Sequence, residues 1–300
     1  MTGQKNHLQG VLYCLLCYTV WGLFPLYWKL LKNVSPMEVL AHRVLWSFVF
    51  MYLFCVVWKR KSLRLVFKDK KQTLKLALCG SIICVNWGLY IWAVSNNHIV
   101  DASLGYYINP LFNVLLGILF FKERLNKIQI VAFFLAFAGV AYFSYEHGSL
   151  PWISLILGLS FAIYASIKKT LTIGSLQGLT VETLLVTPLA LLYLSFLFTN
   201  HEIAIFTVSP LITSLLIMAG VVTALPLFWF GIAANKIPLS TIGFLQYISP
   251  TLQLLMGIVV FGETFTTAHV VCFCCIWAGL ALYSGDMIKQ HYKQSLPDKI

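Results

Sequence analysis

The polar residues of this chain gather in short clusters, and the stretches between them are apolar for about 20 residues at a time, the length that crosses a bilayer as a helix. Ten such stretches can be read: Leu8–Trp28, Val39–Trp58, Leu74–Val94, Ala102–Phe121, Ile128–Tyr145, Trp152–Ile167, Leu179–Leu197, Leu211–Ala233, Ile242–Phe261 and His269–Ile288. They show neither the strict alternation of a half-buried strand nor the wide polar face of a soluble amphipathic helix. The pattern therefore predicts an all-α integral membrane protein with ten transmembrane helices.

Composition narrows this further. Only 10% of the 300 residues are charged and 59% are hydrophobic, with a mean hydropathy of +0.83. A soluble domain carries about a quarter of its residues as charges, so the chain lacks the polar surface to cover a soluble globule, and the ten spans leave no room for a soluble catalytic domain. The net charge of +11 would suggest nucleic acid in a soluble protein. With the N-terminus inside, however, 18 of the 21 Lys and Arg fall in cytoplasmic segments, eight of them between Lys59 and Lys75, against Lys29 and Lys32 outside and Arg43 within a span. That asymmetry is the positive-inside rule, which puts both termini in the cytoplasm and makes the lipid bilayer, not nucleic acid, the partner of the basic charge. The first apolar stretch is as long as a full span and no small-residue cleavage site follows it, so it is expected to remain as helix one. All eight cysteines lie within predicted spans. Cys14-x-x-Cys17 has no second pair, so no metal or other cofactor is expected.

The chain also repeats itself. A shift of 140 positions lays Tyr107-Ile-Asn-Pro110 on Tyr247-Ile-Ser-Pro250, Gly117-Ile118 on Gly257-Ile258, Glu123 on Glu263, and Ala138-Gly139 on Ala278-Gly279, with 14 identities in the 41 positions from 104 to 144. Glu38 near the start of helix two answers Glu182 near the start of helix seven more weakly. Two five-helix repeats are expected, over residues 1–147 and 148–300. Because five is odd, the second copy must enter the membrane from the opposite face. Inverted repeats are characteristic of secondary transporters, whose two halves rock about one central site.

Polar residues at mid-membrane depth mark either a cavity or a helix contact. Tyr106, Asn109, Pro110 and Asn113 of helix four, and Gln246, Ser249, Pro250 and Gln253 of helix nine, each follow i, i+3, i+4, i+7 and so share one helical face. Pro110 and Pro250 each remove a backbone donor, and a helix kink is expected at both. Asn86, Trp87, Tyr90 and Trp92 of helix three, with Phe228 and Trp229 of helix eight, offer aromatic walls suited to an amphipathic metabolite. Tyr247 lies beside Gln246 on helix nine. Packing between helices is the competing role for each of these. Arg43, five residues after Glu38, either binds a carboxylate or phosphate bidentately or snorkels outward to Glu38 and water. Glu182 is a candidate protonation site or a helix cap, and Glu123 and Glu263, at helix exits, are expected to serve loops or caps. His98 and Asp101 fall in the turn after helix three. No phosphate-binding G-x-x-x-x-G-K-[ST], no H-E-x-x-H and no nucleophile with an adjacent base is found, so no enzyme is expected and energy must come from a gradient.

In these residues the sequence resembles the RarD, or chloramphenicol-sensitivity, group of EamA-like transporters in the drug/metabolite transporter superfamily. The motifs run in order over nearly the whole chain: Trp21-Gly22, Pro25-Leu-Tyr-Trp-Lys-Leu30, Glu38-x-x-Ala-His-Arg43, Asn86-Trp87, Tyr90-Ile-Trp-Ala-Val94, Ala102-Ser-Leu-Gly-Tyr106, Ile108-Asn-Pro-Leu111, Glu182-Thr-Leu-Leu185, Gly243-Phe-Leu-Gln-Tyr-Ile248 and Leu282-Tyr-Ser284. The resemblance implies a ten-helix permease of the bacterial inner membrane that exports small-molecule substrates, metabolites or drugs, with proton coupling as a driving force. A channel-like facilitator and a membrane-embedded enzyme or sensor scaffold are the rival readings.

Overall fold

The computed structural model describes residues 2–59, 62–121, 126–234, 236–237 and 245–295. Among these residues every regular element is helical: α1 (Thr2–Gly22), α2 (Phe24–Leu30), α3 (Pro36–Tyr52), α4 (Arg64–Lys68), α5 (Lys70–Ser95), α6 (Ile99–Phe121), α7 (Lys127–His147), α8 (Trp152–Lys169), α9 (Ser175–Thr199), α10 (Pro210–Ala234), α11 (Ile248–Leu255) and α12 (Thr267–Ser295). Short π-helical turns, Leu53–Trp58 and Met256–Val260, extend α3 and α11. Among the described residues, eight helical spans are long and apolar enough to cross a membrane, and two more apolar helices, Trp152–Lys168 and Ile248–Val260, are shorter. The ten expected stretches thus appear as eight full-length spans and two short ones. The first three residues expected of helix nine, Ile242, Gly243 and Phe244, lie outside the described residues.

Local chemistry sets the helix ends. Asp69 starts α5 by accepting the amides of Lys71 and Gln72 at 3.0 and 3.1 Å. Asn126 and Gln129 form a capping box at the start of α7, which stops at Gly148 in the left-handed conformation, φ 70°. Proline in its first turn opens α3. Pro25 acts differently: the first span breaks at Leu23 and restarts as α2, with Pro25 in the new first turn. Pro110 sits inside the continuous α6, whereas Pro250 is the third residue of α11, after a turn at Gln246 and Tyr247, where a missing N–H costs little. Glu263 is a cap, but of a distant helix: its two carboxylate oxygens accept the amides of Ile99 and Val100, each at 2.8 Å, at the start of α6. Glu123 lies outside the described residues.

The principal helix pairs are α7 with α12, α6 with α8, α1 with α11, α3 with α10, α5 with α9, α1 with α10, α5 with α8, α3 with α9 and α6 with α11. If α1, α3, α5, α6 and α7 are matched in order to α8, α9, α10, α11 and α12, each of these pairs either matches itself or has its counterpart among the others. Individual residues follow the same rule. A Cβ on Gly139 would lie 3.0 Å from the carbonyl oxygen of Cys272, and one on Gly279 would lie 2.7 Å from that of Ala132. Gly279 and Cys272 stand 140 positions after Gly139 and Ala132, so each glycine meets the counterpart of what the other meets. That is the contact rule of a two-fold axis, and small residues at it let the α7 and α12 backbones approach. Tyr107 and Tyr247, also 140 apart, stack on each other at 6.1 Å with planes 12° apart. Large apolar side chains such as Leu119, Phe120, Phe134, Leu192 and Val259 face outward from the bundle, as a lipid-facing surface requires.

Candidate functional site

The break at Pro25 gives the site its first wall. Because α2 restarts there, Phe24, Tyr27 and Trp28, at i, i+3 and i+4, share one face, with Phe24 and Trp28 buried. The Phe24 and Trp28 rings meet edge-on at 5.7 Å, and Tyr27 is held by the bond its hydroxyl donates to the carbonyl of Leu215 on α10. Against this wall α3 sets Arg43, which is only 3% exposed. Its guanidinium carbon lies 4.1 Å from the Trp87 ring centroid on α5, 4.9 Å from Trp28 and 5.8 Å from Phe24. Tyr106, Tyr90, Cys84 and Tyr27 lie within electrostatic range of it, and the Tyr90 and Tyr106 rings pack edge-on at 5.9 Å. The guanidinium from α3 is thus packed against rings of α2 and α5, with Tyr106 of α6 within electrostatic range.

Arg43 does not snorkel to Glu38. Glu38 is itself buried, accepts the amide of Ala204 at 2.7 Å and faces His42 at 3.8 Å. Glu38 also lines an open pocket of about 470 Å³ with Asn33, Ser35, Tyr193, His201 and Glu202, where the α2–α3 and α9–α10 connections meet. Arg43 follows five residues along α3, about 7.5 Å further into the bundle. Its Nε and Nη1 have no hydrogen-bond partner, nor do the buried Trp28 Nε1 and Tyr90 hydroxyl. Burying an unpaired cation costs several kcal/mol, and ring contacts worth roughly 0.5–2 kcal/mol each recover part of that while leaving the N–H groups unbonded.

Glu182 has the opposite environment. It lies two turns into α9, so it caps nothing, and it is 1% exposed. Its carboxylate accepts from Lys168 Nζ at 2.6 Å and from the Tyr164 hydroxyl at 3.2 Å, both on α8. A narrow cleft lined in part by Trp87, Cys84 and Gly80 runs to it.

The amides chosen from the sequence fasten helices. Asn86 donates to the Leu157 carbonyl and to Ser160 Oγ, both at 2.9 Å, and Asn109 donates to the Gly158 carbonyl at 2.9 Å, so both hold α8. Asn113 is exposed and donates to Asn109 Oδ1 at 2.9 Å. Gln253 donates to the Trp21 carbonyl and to Ser249 Oγ, each at 3.2 Å, while its Oε1 is unpartnered. Gln246 and Tyr247 occupy the turn before α11, and Trp229 is half-buried on α10 and is not among the rings against Arg43. Of the residues read from the sequence, Arg43, Trp87, Tyr90 and Tyr106 come together. The reading missed Phe24, Tyr27 and Trp28, whose signal was the i, i+3, i+4 aromatic spacing around Pro25. His98 pairs with Asp101 at 2.9 Å and stacks on Trp92 at the turn before α6.

A multi-pass apolar bundle that buries an unpaired cation among aromatic rings fits a membrane transporter, because charge inside a membrane bundle marks function. Residues 8–145 match the EamA-like transporter family. The chain is 45% identical to the uncharacterized transporter YojE of Bacillus subtilis, over 94% of this chain and 95% of that protein. It is 40% identical to protein RarD of Escherichia coli K12, over 95% and 96%. A crystal structure with 15% sequence identity superimposes with a TM-score of 0.58, covering 91% of this chain and 95% of that one. The chain belongs to the RarD group of the EamA-like transporter family. Its apolar spans and bacterial relatives make it a multi-pass inner-membrane protein.

Proposed function

We propose that the chain is a ten-span permease that moves small organic solutes out of the cell across the inner membrane by alternating access, with two inverted five-helix repeats over residues 1–147 and 148–300 and both termini cytoplasmic. The observation that carries this reading is the two-fold contact pattern between repeat-related residues, Gly139 with Cys272 and Gly279 with Ala132, beside the Tyr107–Tyr247 stack. Two halves joined about such an axis can rock against each other, and an odd number of spans in each half makes the axis lie in the membrane plane. Cargo binds in the Arg43 chamber between α2, α3, α5 and α6, with Trp87, Tyr90 and Tyr106 as contacts. The amides Asn86, Asn109, Asn113, Gln246 and Gln253, with Tyr247 and Trp229, lie along the helices that move. Export exchanges cargo for protons, and Glu182, already bonded to Lys168 and Tyr164, is the candidate proton carrier. One relative, in Pseudomonas aeruginosa, is named a chloramphenicol-sensitive protein, which makes chloramphenicol one solute to test.

The test is flux in liposomes. Protein-loaded vesicles should move a responding solute, from a panel of amino acids and chloramphenicol, with saturation and counterflow, faster than empty vesicles. Flux that stays linear with concentration would make the protein a facilitator. No flux of any panel member, with and without a pH gradient, would remove the permease reading, and tags on the two termini found on opposite sides of the membrane would remove the inverted repeat.

A further inference from the structure

The geometry around Arg43 points to a site for an organic oxyanion: a carboxylate or phosphate group carried on a flat, apolar body. This deepens the permease reading and rests on it for the claim that the bound molecule is also cargo. Arg43 is buried, and among the described residues it forms no ion pair. Buried polar atoms left without a hydrogen-bond partner include Arg43 Nε and Nη1, Trp28 Nε1 and the Tyr90 hydroxyl, together with the His42 ring nitrogens and Ser47 Oγ on the same stretch of α3. Arg43 Nε and Nη1 and Trp28 Nε1 can only donate and the Tyr90 hydroxyl donates readily, so four of these groups offer donors near a positive charge that no carboxylate pairs among the described residues. An oxyanion is the ligand that satisfies such a set, because it brings several lone pairs and the missing charge, and a guanidinium presents two parallel N–H groups to it. An amine would be repelled by Arg43, and a neutral amide would bring donors of its own. The rings of Trp28, Trp87 and Phe24, already against the guanidinium, supply the apolar faces for a planar body. The second buried charge, Glu182, makes no such offer, because Lys168 and Tyr164 already occupy its carboxylate.

A matched series tests this on the full-length purified protein in detergent: indole-3-propionate, its primary amide, tryptamine, phenyl phosphate, and inorganic phosphate and chloride alone. Indole-3-propionate or phenyl phosphate should raise Tm saturably, with the stronger of the two identifying the oxyanion, while the amide and the amine leave Tm unchanged. Arg43→Gln should weaken that response at least tenfold, and Arg43→Lys, which keeps the charge but not the paired N–H geometry, should fall between. If Arg43→Gln does not fold, the wild-type contrast between acid and amide decides alone. The inference is overturned if the amide or the amine stabilises as well as the acid, if phosphate or chloride alone gives the full shift, if nothing in the series stabilises, or if a folded Arg43→Gln responds like wild type. The liposome arm separates the two readings. An acid that binds through Arg43 but is never carried keeps the anion site and removes the permease. A tryptamine that is carried while the acid neither binds nor moves keeps the permease and removes the anion site.

Discussion

Helices α3 and α9 hold corresponding places in the two halves, and each buries a charge, but the two charges meet different company. Glu182 on α9 has a cation at 2.6 Å and a hydroxyl at 3.2 Å. Arg43 on α3 has three aromatic rings around its guanidinium and no ion pair among the described residues. A repeat copies backbone packing, since the same helix pairs recur in both halves, yet it leaves the side chains free to diverge. The paired charge closes the α8–α9 contact without a ligand. The unpaired one remains a buried cation without a counter-charge among the described residues. The difference separates a buried charge that already has its partners from one that has no counter-ion among the described residues, and under the proposed function it would place specificity on the α3 side.

The largest expected effect tests that separation directly. Lys168→Met leaves the Glu182 carboxylate buried with only Tyr164, and orphaning one member of a buried pair costs about 3–5 kcal/mol; Lys168 is 26% exposed, so the lower end, about 3 kcal/mol, is expected. Replacing both residues, in Lys168→Met/Glu182→Leu, should recover most of that loss. Arg43→Met orphans nothing. Its lost ring contacts are offset by relief of a buried charge, and a change below about 1 kcal/mol is expected. Unfolding followed by tryptophan fluorescence in detergent reads all three variants. An Arg43→Met protein as unstable as Lys168→Met would show that Arg43 holds the bundle together, and the contrast would collapse.

A second test sharpens the comparison at the backbone. Gly220 on α10 faces α3, where an added Cβ would sit 2.3 Å from the carbonyl carbon of Trp46 and 2.5 Å from its oxygen. Its counterpart Gly80 on α5 faces α9, where a Cβ would sit 2.8 Å from the Glu182 carbonyl oxygen and 3.1 Å from Val186 Cγ2. Overpacking costs about 1–3 kcal/mol, so Gly220→Ala is expected near 3 and Gly80→Ala near 1 kcal/mol. The α3–α10 approach at Gly220 is therefore the tighter of two equivalent contacts. Equal losses in the two variants would mean that the halves pack alike there.

The all-helical, membrane-spanning character could be read from the sequence because bilayer thickness imposes its own length on the chain, while Pro110 with Pro250, Gly139 with Gly279 and Glu123 with Glu263 suggest a repeat at a constant offset. The site was legible only in part. Arg43, Trp87, Tyr90 and Tyr106 stand out as polar or aromatic residues at depth, and the structure brings them together. Trp28 and Phe24 could not be assigned to them, because nothing in a helical period says which way α2 leans after the break at Pro25. For Asn86 and Asn109 the sequence leaves ligand contact and helix packing open, because the backbone carbonyls of Leu157 and Gly158 that they bond leave no mark in a sequence. Glu263 reaches the start of α6 only through the packing of α11 on α6, a contact between residues far apart along the chain.

The smallest expected effect asks how far the chamber extends along α6 from Tyr106. Asn86 is 1% exposed and its amide holds α8 through two bonds, so Asn86→Leu should cost about 1–2 kcal/mol, as lost hydrogen bonds in a buried contact do. Asn113 is exposed and bonds only Asn109, so Asn113→Leu should change stability by no more than about 0.5 kcal/mol. Because that variant leaves the fold untouched, its flux in liposomes is informative in both directions. Flux within about twofold of wild type is expected, since Asn113 stands two turns along α6 from Tyr106 and touches none of the rings around Arg43. Lost flux at unchanged unfolding midpoint would mean that cargo leaves the Arg43 chamber along the α6 face, passing Asn109 and Asn113, and that the half carrying the unpaired charge also carries the path.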